Sequence, residues 1–346
     1  MLGLALAITG CSSSKTDAPA GGASGGGSAS SSGGAGGFGA AGASGLSANG
    51  GNQELGCKPA KRIDANDNPA AVLLAGTKGM ESLIPKIEYV HAIGDNVFYD
   101  APTGVYRVAK AGGTPELLYD NPGYPRMVAG TDRLFFLSAG SILAVPLTGT
   151  KVMPATIASN LNADVPNDEL LSADATHVYL WMRSTSTVKS VDIASGAVAT
   201  VATGAGNVNW TFYGDQFYYG DSNDSVYSVK LDGSGMKRLG LADHIEWTLA
   251  ADASRVYVGG FGSVFLLRAP TEQETVLLKL NRVYVERLVV EGDHLIYSTS
   301  GGDLGTVALD GSKCTQMGSV GGRWDWSYDD KYFYYSQGAA LYKVPK

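Results

Sequence analysis

The chain has 346 residues, with 26 Lys and Arg against 33 Asp and Glu, for a net charge of −7. No run of basic residues forms a stripe that could neutralise a phosphate backbone, which argues against nucleic acid as a partner. Beyond residue 56 about 290 residues remain for folded structure, at the upper limit of roughly 250 to 300 for one ordinary core, and a repeat array escapes that limit because each unit buries its faces on its neighbours.

Leu2 to Ile8 form a short apolar run that ends in Ile8-Thr9-Gly10-Cys11. A bilayer-spanning helix takes about 20 apolar residues, so this run is too short to be one. It resembles the lipobox of bacterial lipoproteins: an apolar residue, a small residue, Gly or Ala, then Cys. The resemblance implies that residues 1–10 are a signal peptide and that Cys11 is lipidated. It also implies, from Ser12 following the Cys, sorting to the outer membrane, with the domain facing periplasm or exterior. From Ser12 to Gly51 the sequence is almost wholly Gly, Ala and Ser. Such a stretch cannot bury enough apolar surface to offset the entropy of ordering it, so residues 11–56 are predicted to be a disordered tether with a span on the order of 35 Å. The folded domain is predicted over 57–346. With Cys11 lipidated, Cys57 and Cys314 remain. An even remainder in an exported chain points to one disulfide, the other reading being two free buried thiols.

Asp64-Ala65-Asn66-Asp67-Asn68 imitates the start of a calcium loop but has Pro69 and Ala75 where Gly and Glu are needed, so it reads as a polar linker. Ala71 to Gly76 reads as a lone strand. A phrase of one or two turn residues followed by three apolar or aromatic residues then recurs seven times. The triplets are centred on Phe98, Phe135, Tyr179, Tyr218, Tyr257, Ile296 and Phe333, 37 to 44 residues apart. A second phrase, exemplified by Val105-Tyr106-Arg107-Val108 and Leu341-Tyr342-Lys343-Val344, follows each triplet by about ten residues. The fourth unit predicts four short strands, Val208 to Tyr213, Phe217 to Gly220, Val226 to Leu231 and Met236 to Leu239, joined by turns rich in Gly, Asp, Ser and Asn. Consecutive apolar residues mark strands buried on both faces. A period near forty in an all-β pattern predicts a seven-bladed β-propeller. Its last unit stops after the third strand, so the lone N-terminal strand is expected to complete it and close the ring. Cys57 and Cys314 then fall on neighbouring blades.

The units resemble those of bacterial lipoprotein β-propellers of the TolB-like and low-density-lipoprotein-receptor-like groups, whose blades carry Asp-x-x-x-Val-Tyr-Trp. Asp174 to Tyr179 and Asp252 to Tyr257 match best, with Leu180 and Val258 in place of the Trp. The resemblance implies fold and not activity.

No metalloprotease or hydrolase motif occurs, and no cofactor or metal motif. His177 and His294 share a column with Asn96, Arg133, Gln216, Arg255 and Lys331, which marks a solvent-exposed hairpin position. Asp221 to Ser225 reads as a hairpin turn. The segments entering the inner strands carry Tyr124, Arg126, Glu169, Trp210, Glu246, Trp247, Glu286, Arg287, Arg323, Trp324, Asp325 and Trp326. Around one end of a central channel they make either a recognition rim or, for the Trp residues, wedges between blades. The expected function is that of a monomeric, non-catalytic binding or scaffold module for a protein or glycan partner. The alternative is a carbohydrate-active enzyme using Glu246 and Glu286. A third reading is a structural spacer in an envelope assembly.

Overall fold

A computed structural model describes residues 70–76, 87, 89–120, 127–161, 168–206, 210–223, 225–241, 248–267, 274–319 and 326–346. The signal segment, Cys11, the tether, Cys57 and the 64–68 segment lie outside the described residues. Among those described, the chain has strands, one 3₁₀ turn at Arg183–Thr185 and no α-helix.

Strand β1 (Val72–Ala75) stands alone in sequence. Then come β2 (Val90–Ile93), β3 (Asn96–Ala101), β4 (Gly104–Ala109) and β5 (Glu116–Tyr119), followed by β6 (Met127–Ala129), β7 (Arg133–Ser138), β8 (Ser141–Pro146) and β9 (Ala155–Ala158). The third set is β10 (Glu169–Ala173), β11 (His177–Met182), β12 (Thr187–Asp192) and β13 (Val198–Thr203). The fourth is β14 (Trp210–Tyr213), β15 (Gln216–Gly220), β16 (Ser225–Lys230) and β17 (Lys237–Leu241). Next are β18 (Thr248–Ala251), β19 (Val256–Gly259), β20 (Phe261–Leu267), β21 (Glu274–Glu291), β22 (His294–Thr299), β23 (Asp303–Ala308) and β24 (Cys314–Ser319). The last are β25 (Trp326–Tyr328), β26 (Tyr332–Gln337) and β27 (Ala340–Pro345).

These strands form five four-stranded antiparallel sheets and one of seven strands, and the seven triplets fall on β3, β7, β11, β15, β19, β22 and β26. Each triplet strand is the second of its unit, and most are covered on both faces: Val97, Phe98, Leu134, Phe135, Leu295 and Ile296 are all buried, while Tyr218 of β15 is partly exposed. The core divides into clusters that each join consecutive units. One further cluster joins Tyr334 and Leu341 of the last unit, with Leu74 of β1, to Val90, Val97 and Val108 of the first. β1 pairs antiparallel with β27, Val72 opposite Lys343 and Leu73 opposite Tyr342.

The seven-stranded sheet departs from the expected separation of units. β21 runs 18 residues, pairing with β20 through its first half and with β22 through its second. Leu277 to Val290 contains no Gly or Pro to interrupt it. The chain changes course at Arg282, whose φ of 48° is left-handed.

Tight turns join the first and second strands of the units. In three units a carboxylate organises the turn. Asp174 accepts the amides of Thr176 and His177 and the Tyr179 hydroxyl. Asp252 does the same with Ser254, Arg255 and Tyr257, and Asp329 with Lys331, Tyr332 and Tyr334. The Asp-x-x-x-apolar-Tyr phrase is therefore a local hydrogen-bonded device that satisfies the turn amides and anchors a Tyr of the triplet. Asp221 caps its own turn in the same way, accepting the amides of Asn223 and Ser225.

Candidate functional site

The first strands of the units stand side by side: β6 against β10, β14 against β18, β18 against β21, and β2 against β25. They enclose a cavity of about 240 Å³ lined from β2, β6, β10, β14, β18 and β21 and the residue before β2. Register sets the level of each side chain. Glu169 lies opposite Trp181, Thr248 opposite Gly259, Arg287 opposite Ser298 and Trp326 opposite Tyr335. In every case the partner is two residues past the centre of the triplet, so these four share one tier at the entry end of the strands. Two residues along, opposite the triplet centres, come His91, Val128 and Val289.

Glu169 and Arg287 both line the cavity, from strands that are not neighbours. Glu169 is about nine-tenths buried. The Arg287 guanidinium lies 4.3 Å over the Trp326 ring and donates 2.6 Å to the Trp326 carbonyl oxygen. A planar cation stacked on an aromatic face and tied to a backbone oxygen is held in one orientation. His91 Nε2 lies 3.2 Å from the Met127 carbonyl oxygen. A carbonyl only accepts, so Nε2 carries the proton and donates. Burial lowers the His91 pKa to about 4, with the Met127 bond opposing and the Arg287 charge adding to the depression. The ring is therefore neutral near pH 7, and Arg287 is the charged base of this wall.

The sequence-predicted rim residues separate. Trp210 is half-buried and lines the cavity, edge-on to Phe212 at 5.8 Å. Arg287 and Glu169 line it too. Glu286 sits at a register shift in β21, half-buried, and is not part of the cavity wall. Trp326 is fully buried, its Nε1 donating to Ser298 Oγ at 3.1 Å. Of the two readings for the Trp residues, Trp326 takes the wedge, and so does Trp181, which donates to the Ala205 carbonyl oxygen. Tyr124, Arg126, Glu246, Trp247, Arg323, Trp324 and Asp325 lie outside the described residues, as does His244. Cys314 opens β24, the outer strand of its sheet. His177 and His294 are partly exposed at hairpins, as their column predicts.

Tyr89, His91 and Thr248 were not legible as site residues, because each reads as an ordinary strand position. Counting back from the triplet through the hairpin gives their level. Among the described residues no three His, Cys, Asp or Glu side chains cluster to hold a metal, and no helix is long and apolar enough to cross a membrane.

No protein-family model matches the chain, and no curated protein does. Solved structures do. The WD40 β-propeller domain of Doa1 is similar with a TM-score of 0.56 at 13% identity, over 81% of this chain and 98% of that one. YCF48 bound to D1 peptide gives 0.56 at 10% identity, over 83% and 99%. The extracellular domain of the putative one-component system BT4673 from B. thetaiotaomicron gives 0.53 at 12% identity, over 76% and 39%. At these identities the likeness establishes fold alone: the described domain is a β-propeller.

Proposed function

We propose that the chain is an exported, lipid-anchored, seven-bladed propeller acting as a monomeric, non-catalytic binding or scaffold module for a protein partner in the bacterial envelope. Ring closure by β1 on the last blade is supported by the β1–β27 pairing. It is supported again where first and last units meet: Lys110 Nζ lies 2.7 Å from Asp329 Oδ2, and the Ala92 amide donates to Ser327 Oγ. The lipobox-like Ile8 to Cys11 supports an anchor at Cys11 on the outer membrane, facing periplasm or exterior, and the Gly, Ala and Ser tether supports a domain held off that surface. A Cys57–Cys314 disulfide fits the scheme, because β24 belongs to the blade beside the one that β1 completes.

The single observation that carries the binding role is the cavity between the first strands, lined by Trp210, Glu169 and Arg287 from three different strands. An aromatic ring, a buried acid and a preoriented Arg are the side chains of a recognition surface. One of the similar structures, YCF48, holds a peptide, which supports a protein rather than a glycan as partner. Crosslinking in intact cells with mass spectrometry of captured proteins tests this. The expected result is a specific protein captured by the native chain and lost with Trp210→Ala and Trp247→Ala. Capture unaffected by both changes would favour a spacer.

A further inference from the structure

One position of the repeat changes character on the two sides of the last unit. Just after the third strand, the backbone amides of Lys110, Leu147, Ile193, Leu231, Leu309 and Lys346 each donate to the first hairpin of their own unit. The fifth unit's counterpart lies outside the described residues. The four aliphatic side chains pack into the cluster shared with the preceding unit. Lys110 and Lys346 instead reach carboxylates of that unit, Asp329 and Glu291. Between the sixth and last units, the fully buried Trp326 under Arg287 adds a large apolar contact.

The seam between the last and first units is built differently. The last unit gives their shared cluster the buried side chains of Leu74, Ala75, Tyr334 and Leu341, and the first two belong to β1, a separate stretch of chain. β1 itself has a register shift against β27 and leaves Val72 and Leu73 exposed. Much of what remains across the seam is polar. Lys110 meets Asp329 with each side chain 20% exposed, Lys343 Nζ donates to the Lys110 carbonyl oxygen, and the Ala92 amide donates to Ser327 Oγ. Water can replace each of these contacts when the seam parts, whereas lost aliphatic burial has no such substitute.

We propose that the ring opens at this seam: β1 leaves β27 and the first and last units separate while the other units stay packed. The proposal rests on the ring reading given above. It adds a moving part to it, since β2 lines the cavity and stands beside β25, so parting the two gives the cavity a lateral entrance.

Hydrogen–deuterium exchange of the purified full chain near pH 7, resolved by peptide, tests this. The third unit is the internal reference, because Ile193 and Leu231 give it aliphatic contacts on both sides. Amides of β1 and β27 should be protected, but about tenfold less than those of β11 and β12. Lys110→Met should lower protection in β1 and β27 by a further tenfold or so and leave β11 and β12 unchanged. Equal protection of all four strands in the native chain, or a variant that shifts all four alike, overturns the proposal. Complete absence of protection in β1 would sink the ring reading itself, and this inference with it. Should Lys110→Met fail to fold, the comparison within the native chain decides alone.

Discussion

The inner strands have two ends built on different principles. At the hairpin end the same local device recurs: Asp174, Asp252 and Asp329 each gather two turn amides and a Tyr hydroxyl from within five residues. At the cavity end four units contribute different polar or aromatic side chains, Glu169, Trp210, Thr248 and Arg287. Repetition at one end serves folding, because every unit needs a satisfied turn. Variety at the other leaves the cavity wall without the repeat of the hairpins. Glycines sharpen the contrast within the hairpin end. Gly292 and Gly233 both have positive φ, yet a Cβ on Gly292 would meet nothing, while one on Gly233 would lie 2.8 Å from the Thr200 carbonyl oxygen on the neighbouring unit's outer strand. The first glycine supplies a conformation; the second also lets one blade's turn close over the next blade's edge.

The largest effect that would break or sharpen this contrast is expected for Asp329→Ala. It removes the Lys110 pair, two amide acceptors and the Tyr334 partner at the seam between first and last units. A loss of about 3 kcal/mol in chemical denaturation is expected. Next is Gly233→Asn, about 2 kcal/mol, since Asn tolerates the positive φ but not the Thr200 contact.

Acid separates the two ends. His91 has a folded pKa of about 4, below the unfolded value near 6.5, so the unfolded chain binds the extra proton between those values. Its contribution to stability is complete above pH 6.5 and is lost as pH falls toward 4. The ring keeps some solvent contact, so the loss is on the order of 2 kcal/mol, and His91→Gln should flatten urea midpoints across that window. Burial pushes the Asp329 carboxyl up, but Lys110, the Lys331 and Tyr332 amides and the Tyr334 hydroxyl outweigh it and pull the group well below the usual carboxylate range. Its stabilisation is present above pH about 3.9 and is lost only as pH falls through the depressed folded value. An acid titration should therefore weaken the cavity end first. The smallest effect is expected for Gly292→Asn, within about 0.5 kcal/mol by thermal unfolding, because its φ is open to Asn and no atom is near.

The hairpin end was legible because its chemistry is local. Phe98, Tyr179 and Phe333 announce their strands by three apolar residues in a row, and Asp252 with Tyr257 announces a turn and its anchor. The cavity end was legible only in outline. The segments entering the inner strands read as convergent, but Trp326 and Trp210 look alike in sequence, and only packing puts one under Arg287 and leaves the other on the cavity wall. The continuity of β21 was hidden as well, since an unbroken apolar stretch does not declare which half belongs to which blade.

The amino-acid order by itself determined the strand repeat, the turn chemistry and the apolar faces, because these depend on neighbours within a few residues. Tertiary structure decided which side chains line the cavity. Glu169 and Arg287 stand 118 positions apart in the chain and share a level only because separate hairpins set the register of their strands.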